Sequence, residues 1–527
     1  MNRYYITTAI PYANSAPHIG HALELTGADV AARAKRMLGY DVYFQTGTDE
    51  HGQKMLESAA KAGRSVREFA DEIVPRFAGL WRELEISFDN FVRTTDPRHA
   101  AGVTKFWNAV RENGDIYLGR YEGWYSVSEE VFHLESQAQT APDGRKLSPE
   151  TGEELVWKSE NSYFFRWSRY NDALTNFVRA NPAFIAPAFR ANEMVNTFLK
   201  PGLQDISISR TSIQWGIPVP GDALHVIYVW FDALINYITG AGYGSDVERF
   251  AQWWPADMHV VGKDILKFHT LLWPAMLMSA GLDPPRRVFG HGFVNTRVSA
   301  VDGFEKMSKS KGNVVDPHAL IARFGGNPDP LRYFLMREID FGQDGAYSPE
   351  AMTARYNADL ANTLGNLLAR TLTMVEKYQD GIVAPPGAYC ARDEAVISAL
   401  IAPFQKSPNG NSVYEEMIDN FRFNTLLADI WTGVSRLNGY ITEQQPFKLA
   451  NDAARKDRLA TVLYILCEGL RVIAAQIAPF IPRTAAAIWT QLGVAEPFDS
   501  VPFERLSQWG FLRDARVQRG ENLFPKI

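Results

Sequence analysis

Cysteine is almost missing from this sequence, with 2 among 527 residues, Cys390 and Cys467. Two thiols build neither a disulfide framework nor a cysteine-based metal site. Both lie in apolar stretches that read as helix, so both are expected to be core residues. Long apolar runs are also missing: residues 462–466 and 472–482 are broken up by Glu468 and Arg471 and fall short of the ~20 residues a membrane span needs. No membrane segment is expected. Residues 1–10 carry a single arginine and no apolar core leading to a small-residue cleavage site, so they do not read as a secretion signal and a cytoplasmic location is expected. An excess of positive charge is absent too, because 54 basic and 60 acidic residues leave a net charge of −6. A nucleic-acid partner would therefore need a local face rather than bulk attraction. Internal repeats at solenoid periods and low-complexity tracts are not found.

What is present is an ordinary globular composition, 46% apolar and 22% charged, which excludes disorder for the bulk. The length corresponds to about two to four domains. Residues 3–10 read as a strand, 11–17 as a loop of turn formers, and 19–38 as a long helix ending at Gly39. A second strand at 41–46, a polar loop at 47–52 and a helix at 53–61 follow. Strands alternating with helices predict a doubly wound parallel sheet. From about Tyr117 to Pro220 the texture changes to short β pieces, turn clusters and many aromatics, which predicts an inserted domain. The alternation resumes at 225–230 and 259–262, so one sheet is expected to be completed across the insertion. Asp316-Pro317 and Ser348-Pro349 are helix starts. From there to Gly493 the pattern is nearly all helical, and Leu459, Val462, Leu463, Leu466, Leu470 and Ile473 mark an apolar face that reads as bundle core.

Two clusters carry chemistry. Pro11-Tyr-Ala-Asn-Ser-Ala-Pro-His18-Ile-Gly20-His21 falls where the first strand turns into a helix. A helix N-terminus favours a phosphate, and His18 and His21 share a face from which both can donate to phosphate oxygens. Gly20 leaves room for a base against the backbone. The plainer alternative is two ordinary histidines at a helix start. Lys306-Met-Ser-Lys309-Ser-Lys311-Gly312-Asn313 places three lysines on a polar loop ending in glycine, a cationic arm suited to a triphosphate. The alternative is a solvated lysine-rich loop. The company of the first cluster makes that alternative improbable.

Together the two clusters resemble the HIGH and KMSKS signatures of class I aminoacyl-tRNA synthetases, and the surrounding residues are similar to the methionyl-tRNA synthetases among them, from Tyr5 to about Ala450. The resemblance implies a Rossmann-like doubly wound sheet (1–116 and 225–290) interrupted by a connective-peptide insertion (117–224). It further implies a stem-contact subdomain with the KMSKS loop (291–348) and an α-helical anticodon-binding domain (349–527). It implies a methionine pocket of Ile10, Tyr12, Trp230, Ala233, Tyr237, Ile265 and His269, with Asp49 for the ammonium. Read without the resemblance, those aromatics are core. Gly20, Gly262 and Asp264 match positions that meet ATP, and Asp264 also reads as a helix N-cap. His18, His21, Lys306 and Lys309 match the phosphate-stabilising groups. Asn366, Arg370 and Phe447 match the anticodon readers.

Two departures stand out. The stretch that carries Cys-x-x-Cys zinc knuckles in many relatives reads Trp124-Tyr-Ser126-Val-Ser128-Glu129 here, and serine is a poor zinc ligand, so no structural zinc is expected. Phe447 stands where a tryptophan is expected, and it can stack on a base without an indole N–H. The expected activity is methionine–tRNA ligation: methionine and ATP form methionyl-adenylate, with Mg²⁺ bound mainly through ATP and water, and tRNA(Met) takes the acyl group. A monomer is expected, since nothing after Ile527 supplies a dimerisation domain. The alternatives are another class I synthetase or an HxGH nucleotidyltransferase, which would have no need of the helical domain.

Overall fold

The computed structural model describes residues 2–127, 131–133, 135, 138–297, 304–306, 314–406 and 410–526. Its central sheet has six parallel strands: β1 (Arg3–Thr8), β2 (Asp41–Thr48), β3 (Asn90–Arg93), β4 (Ile185–Ala186), β5 (Met258–Gly262) and β6 (Val288–His291), in the order β3-β2-β1-β5-β6-β4. The doubly wound sheet read from the sequence is therefore present. Its order reverses between β1 and β5, and the crevice outside the carboxyl ends at such a point is where open α/β sheets hold ligands. The inner strands β1, β2, β5 and β6 are buried on both faces, so polar side chains within them pair with each other: Thr8 Oγ1 donates to Thr46 Oγ1 at 2.8 Å, and Thr7 Oγ1 meets His259 Nδ1 at 2.7 Å. Gly47 lets β2 and β3 approach, because a Cβ there would stand 2.1 Å from the Val92 carbonyl oxygen.

Helix α1 (Ile19–Met37) joins β1 to β2, and α2 (Pro97–Glu112) follows β3. The region read as an insertion holds an antiparallel sheet built on Ile116–Ser126 and Val156–Phe165. It also returns Ile185–Ala186 to the edge of the central sheet. One expectation is corrected here. Asp222–Ile227 is not a parallel strand of the central sheet but pairs antiparallel with Pro218–Val219 and Ser209–Arg210. Gly221, at φ 88°, makes the tight hairpin that forces this pairing. Helix α3 (Val229–Leu234) follows directly.

Asp316 and Ser348 cap their helices as expected, their side chains accepting from His318 N and Ala351 N. A continuous helical path runs from Pro349 through a π-helical stretch, Tyr356–Gly365, into α4 (Asn366–Gln379). Helix α5 (Lys456–Ile477) is the core of the bundle, with Leu459, Val462, Leu463, Leu466, Leu470 and Ile473 all buried. The segment Ala453–Ile477 is long and apolar enough to cross a membrane, contrary to the reading of short runs, and 94% of its most apolar stretch is buried inside the fold. Its interrupting charges, Glu468 and Arg471, pair at 2.8 Å with no exposure and peg the C-terminal segment, Glu468 accepting from Gly510, Phe511 and Leu512 N–H. Cys467 is buried, but Cys390 is exposed, because the helix it was assigned to begins only after it, at Ala391.

Arg332 ties the two halves of the molecule together. With no exposed surface, it donates to the carbonyls of Phe480, Leu84 and Pro479 at 2.8, 3.0 and 2.9 Å and pairs with Asp29 of α1 at 2.7 Å. Removing one member of such a pair leaves a buried charge. Arg332→Met is therefore expected to lower stability by about 3–5 kcal/mol, read as a shifted urea midpoint; an unshifted midpoint would show that the joint carries no load.

Candidate active site

The loop Pro11–Pro17 delivers His18 as the N-cap of α1. Its Nδ1 accepts from Gly20 N at 3.1 Å, and His21 Nδ1 accepts from His18 N at 3.1 Å, with the rings stacked 3.9 Å apart. An Nδ1 that accepts a backbone N–H carries no proton, so each neutral ring is protonated on Nε2. The plainer alternative is therefore present, since both histidines cap the helix, and capping through Nδ1 leaves Nε2–H as the donor of each ring. Phe77 packs edge-on to His21 at 5.5 Å.

At the carboxyl ends of β1 and β2, Tyr12 and Asp49 form a parallel bridge, with Asp49 N donating to Pro11 O and Ala13 N to Asp49 O, each at 2.9 Å. Ile10 lies just beyond β1 and is half-buried. The Asp49 carboxylate is nearly buried and accepts from His51 N at 3.2 Å. An acid held at a strand end on the crevice is well placed for an ammonium.

An aromatic cluster forms on α3 and the helical turns after β5. Trp230 stacks on Phe268 at 4.0 Å and meets His269 edge-on at 6.3 Å, and Ile265 packs against the same cluster. Ala233 and Tyr237 are buried there too. Tyr237 Oη lies 2.7 Å from His269 Nε2, while His269 Nδ1 lies 3.0 Å from the Ile265 carbonyl. The carbonyl only accepts, so Nδ1 donates, Nε2 accepts, and the ring is neutral. Burial agrees, pushing the His269 pKa down to about 4. Phe268 was not singled out by the sequence, although it adjoins His269 in the π-helical turn Phe268–Leu272, a conformation frequent at functional sites.

At the ends of β5 and β6, Asp264 is exposed, and a Cβ on Gly262 would stand 2.7 Å from its Oδ1. Asp264 is not an N-cap: it sits inside the short turn Lys263–Ile265, whose cap is Gly262. Beside them His291 Nε2 meets Glu24 Oε2 at 2.8 Å, and His291 Nδ1 meets the Gly292 carbonyl at 2.7 Å. Burial raises the Glu24 pKa; burial also works to lower that of His291, and the Glu24 bond outweighs it and raises it. Glu24, which the sequence reading did not single out, lies one turn beyond His21 on the same face of α1, and that spacing is the signal that could have found it.

Lys306 ends the strand Phe304–Lys306, which pairs antiparallel with Val294–Arg297, and Lys309 lies outside the described residues. The chain re-enters beside α1, where Ile19 N donates to Val315 O at 3.2 Å. Far along the chain, Asn366 and Arg370 are both exposed on α4, one turn apart. Phe447 is 48% exposed on the short helix Pro446–Leu449. Among the described residues no group of three or more His, Cys, Asp or Glu side chains is arranged to hold a metal; Ser128 and Glu129 lie outside those residues.

His269 supplies a pH dependence. Its folded pKa of about 4 lies below the ordinary 6.5, so on acidification the unfolded chain protonates first and folded stability is lost as pH falls from 6.5 toward 4. Comparing His269→Gln with the parent by urea unfolding, the parent should lose about 2 kcal/mol more between about pH 7 and about pH 5. Parallel pH profiles would contradict a neutral buried imidazole.

Residues 4–372 match the family model for tRNA synthetases class I (M). A methionine–tRNA ligase of Caldanaerobacter subterraneus is 48% identical over 99% of this chain and 79% of its own, and one of Bacillus subtilis is 43% identical over 100% and 78%. Among solved structures, Mycobacterium tuberculosis methionyl-tRNA synthetase in complex with methionyl-adenylate superposes with a TM-score of 0.93 at 44% identity, covering 100% of both chains. The apo form of the Mycobacterium tuberculosis enzyme gives 0.86 at 42% identity, covering 100% of this chain and 98% of its own. With the capped α1 at the switch point of a parallel sheet and these likenesses along its whole length, this chain belongs to the class I tRNA synthetases of the methionyl type.

Proposed function

We propose that this chain is a methionine–tRNA ligase. It activates L-methionine with ATP and passes the methionyl group to the 3′-terminal ribose of tRNA(Met). The observation that carries the reading is the convergence, at the carboxyl ends of β1, β2 and β5, of a helix N-terminus capped by His18 and His21, the Asp49 carboxylate and the aromatic pocket of Trp230, Tyr237 and His269. The backbone likeness is greater to the adenylate-bound relative than to the apo form, 0.93 against 0.86.

In the first step a methionine carboxylate oxygen attacks the α-phosphorus of ATP, and the bond to the β-phosphate oxygen breaks, releasing pyrophosphate. No protein nucleophile takes part. Asp49 holds the ammonium, with Ile10 and Tyr12 beside it, and Trp230, Ala233, Tyr237, Ile265 and His269 enclose the thioether. Sulfur against aromatic rings gains about 0.3–1.5 kcal/mol per contact. Gly20 leaves space for the base, and Gly262 and Asp264 face the ribose. His18 and His21 donate from Nε2 to phosphate oxygens from positions fixed by the helix cap, and Lys306 and Lys309 add compact positive charge against the negative charge that develops. In the second step the tRNA ribose hydroxyl attacks the methionyl carbonyl and AMP leaves. Mg²⁺ would be held by the ATP phosphates and water. The reading includes no structural zinc, a monomer and a cytoplasmic location. Asn366 and Arg370 read anticodon bases by their edges and Phe447 stacks on one.

The test is ATP–pyrophosphate exchange with each of the twenty amino acids. Methionine alone should support rapid exchange, and equal exchange with leucine or isoleucine would overturn the reading. His21→Ala and Lys309→Ala should slow pre-steady-state adenylate formation by roughly 10²-fold or more while methionine affinity changes little; a change confined to methionine affinity would contradict those roles. Arg370→Ala should lower aminoacylation of tRNA with a CAU anticodon by orders of magnitude and leave exchange nearly intact. Phe447→Ala should do so more mildly, near the low end of the ~1–3 kcal/mol typical of a lost stacking ring, and Phe447→Trp should be tolerated. Equal damage to exchange, aminoacylation and Tm would mean that these residues only hold the bundle together.

A further inference from the structure

His51, Asp232 and His99 form a buried polar chain that none of the roles above uses. Asp232 Oδ2 lies 2.6 Å from His51 Nδ1 and Asp232 Oδ1 lies 2.8 Å from His99 Nε2. His99 Nδ1 continues to Thr239 Oγ1 at 2.9 Å. The side chain of Asp232 has no exposure, and those of His99 and His51 have 1% and 9%. Burying a carboxylate costs several kcal/mol before its partners offset it, and apolar residues of similar volume are often as stable. Such a network therefore invites a role beyond holding the fold.

Its placement supplies one. His51 sits in the loop after β2, two residues from Asp49, and its backbone N–H donates to the Asp49 carboxylate. Asp232 lies on α3 between Trp230 and Ala233. His99 comes from α2, and Thr239 from the helical turn Asn236–Thr239 that carries Tyr237. One carboxylate thus joins the loop that offers the ammonium partner to the helix and the turn that line the thioether pocket. An unbranched side chain with several rotatable bonds adapts to the walls around it, so walls alone measure its length poorly. Length is measured only if the anchors at its two ends keep a fixed separation.

Building on the methionine–tRNA ligase reading, we propose that Asp232 is a positioning residue for methionine. Held by His51 and His99, it fixes the separation between Asp49 and the pocket of Trp230, Ala233 and Tyr237, and so sets the side-chain length that the site accepts. Asp232 acts through these residues.

The experiment measures methionine- and ethionine-dependent ATP–pyrophosphate exchange, the KM for ATP, and Tm. Asp232→Asn keeps the shape and removes the charge. It should raise the methionine KM about tenfold or more, with kcat and the ATP KM changed by less than about twofold, a loss on the scale of one hydrogen bond to a charged group. The preference for methionine over ethionine, in kcat/KM, should narrow. His51→Leu should behave in the same way. His51→Asn and His99→Gln, which keep a donor at the positions of Nδ1 and Nε2, should restore both the methionine KM and the preference. The proposal is overturned if the preference and methionine KM are unchanged in Asp232→Asn and His51→Leu, or if methionine KM, ATP KM and Tm move together. Should Asp232→Asn not fold, the contrast between His51→Leu and His51→Asn decides alone. An unmodified protein without methionine-dependent exchange would instead remove the functional reading itself.

Discussion

Everything in this molecule that bears on catalysis depends on the parallel sheet offering its carboxyl ends at one crevice. Because β1 is flanked by β2 on one side and β5 on the other, chains leaving these strands diverge to opposite faces and leave a gap. Into that gap the fold places Tyr12 and Asp49 after β1 and β2, Gly262 at the end of β5 with Asp264 just beyond it, and His291 at the end of β6. The same gap receives the N-terminus of α1, whose partial positive charge needs no side chain to exist. The histidines refine that field. By capping the helix through Nδ1 they fix their own tautomers and the direction of each Nε2–H.

Such a site works only if α1 does not move relative to the strands. The helix is held at both ends. At its start Ile19 N–H is bonded to Val315, just past the lysine-rich loop. In its middle Asp29 accepts from Arg33 and from the Ser87 amide and pairs with Arg332, which itself gathers carbonyls from Leu84, Pro479 and Phe480. Through Arg332 the packing of the helical domain and the position of the phosphate-facing helix share one buried contact. Farther along α1, Lys35 pairs with Asp419 at 2.6 Å, a second tie to the same helical region.

What the sequence made legible was local. Strand β1, its turn-rich loop and α1 could be read because apolar periodicity, Pro11 and Pro17, and the stop at Gly39 all act within a few residues of one another. The helix caps at Asp316 and Ser348 were legible for the same reason. Segments whose partners lie far away were not. Asp222–Ile227 has the composition of a buried strand, and only the hairpin at Gly221 decides which sheet it joins. Residues 453–477 have the length and apolarity of a membrane span, and only the surrounding bundle shows what covers them. Cys390 was taken for core because its neighbours are small or apolar, whereas the helix starts one residue later. Of the residues gathered at the candidate site, those inside motifs could be singled out from the sequence, while Glu24, Phe268, Asp232 and His51 were not. Their meaning comes from contacts with residues such as His291, Trp230 and His99, separated in sequence by anything from tens of residues to well over two hundred. The aromatic-cluster residues themselves were legible only through resemblance, since a half-buried Trp and a buried Tyr and His look like core until their contacts are seen.

A structure of this chain with a stable analogue of methionyl-adenylate tests the central claim most directly. The account predicts the ammonium within hydrogen-bond distance of the Asp49 carboxylate, the thioether between Trp230, Tyr237 and His269, and the phosphate facing Nε2 of His18 and His21. A cavity of about 160 Å³ lies at the β3 edge of the sheet among Asn90, Arg98, His99, Asp246 and Arg249. The analogue bound there, or bound in the crevice with its phosphate turned away from α1, would contradict the account.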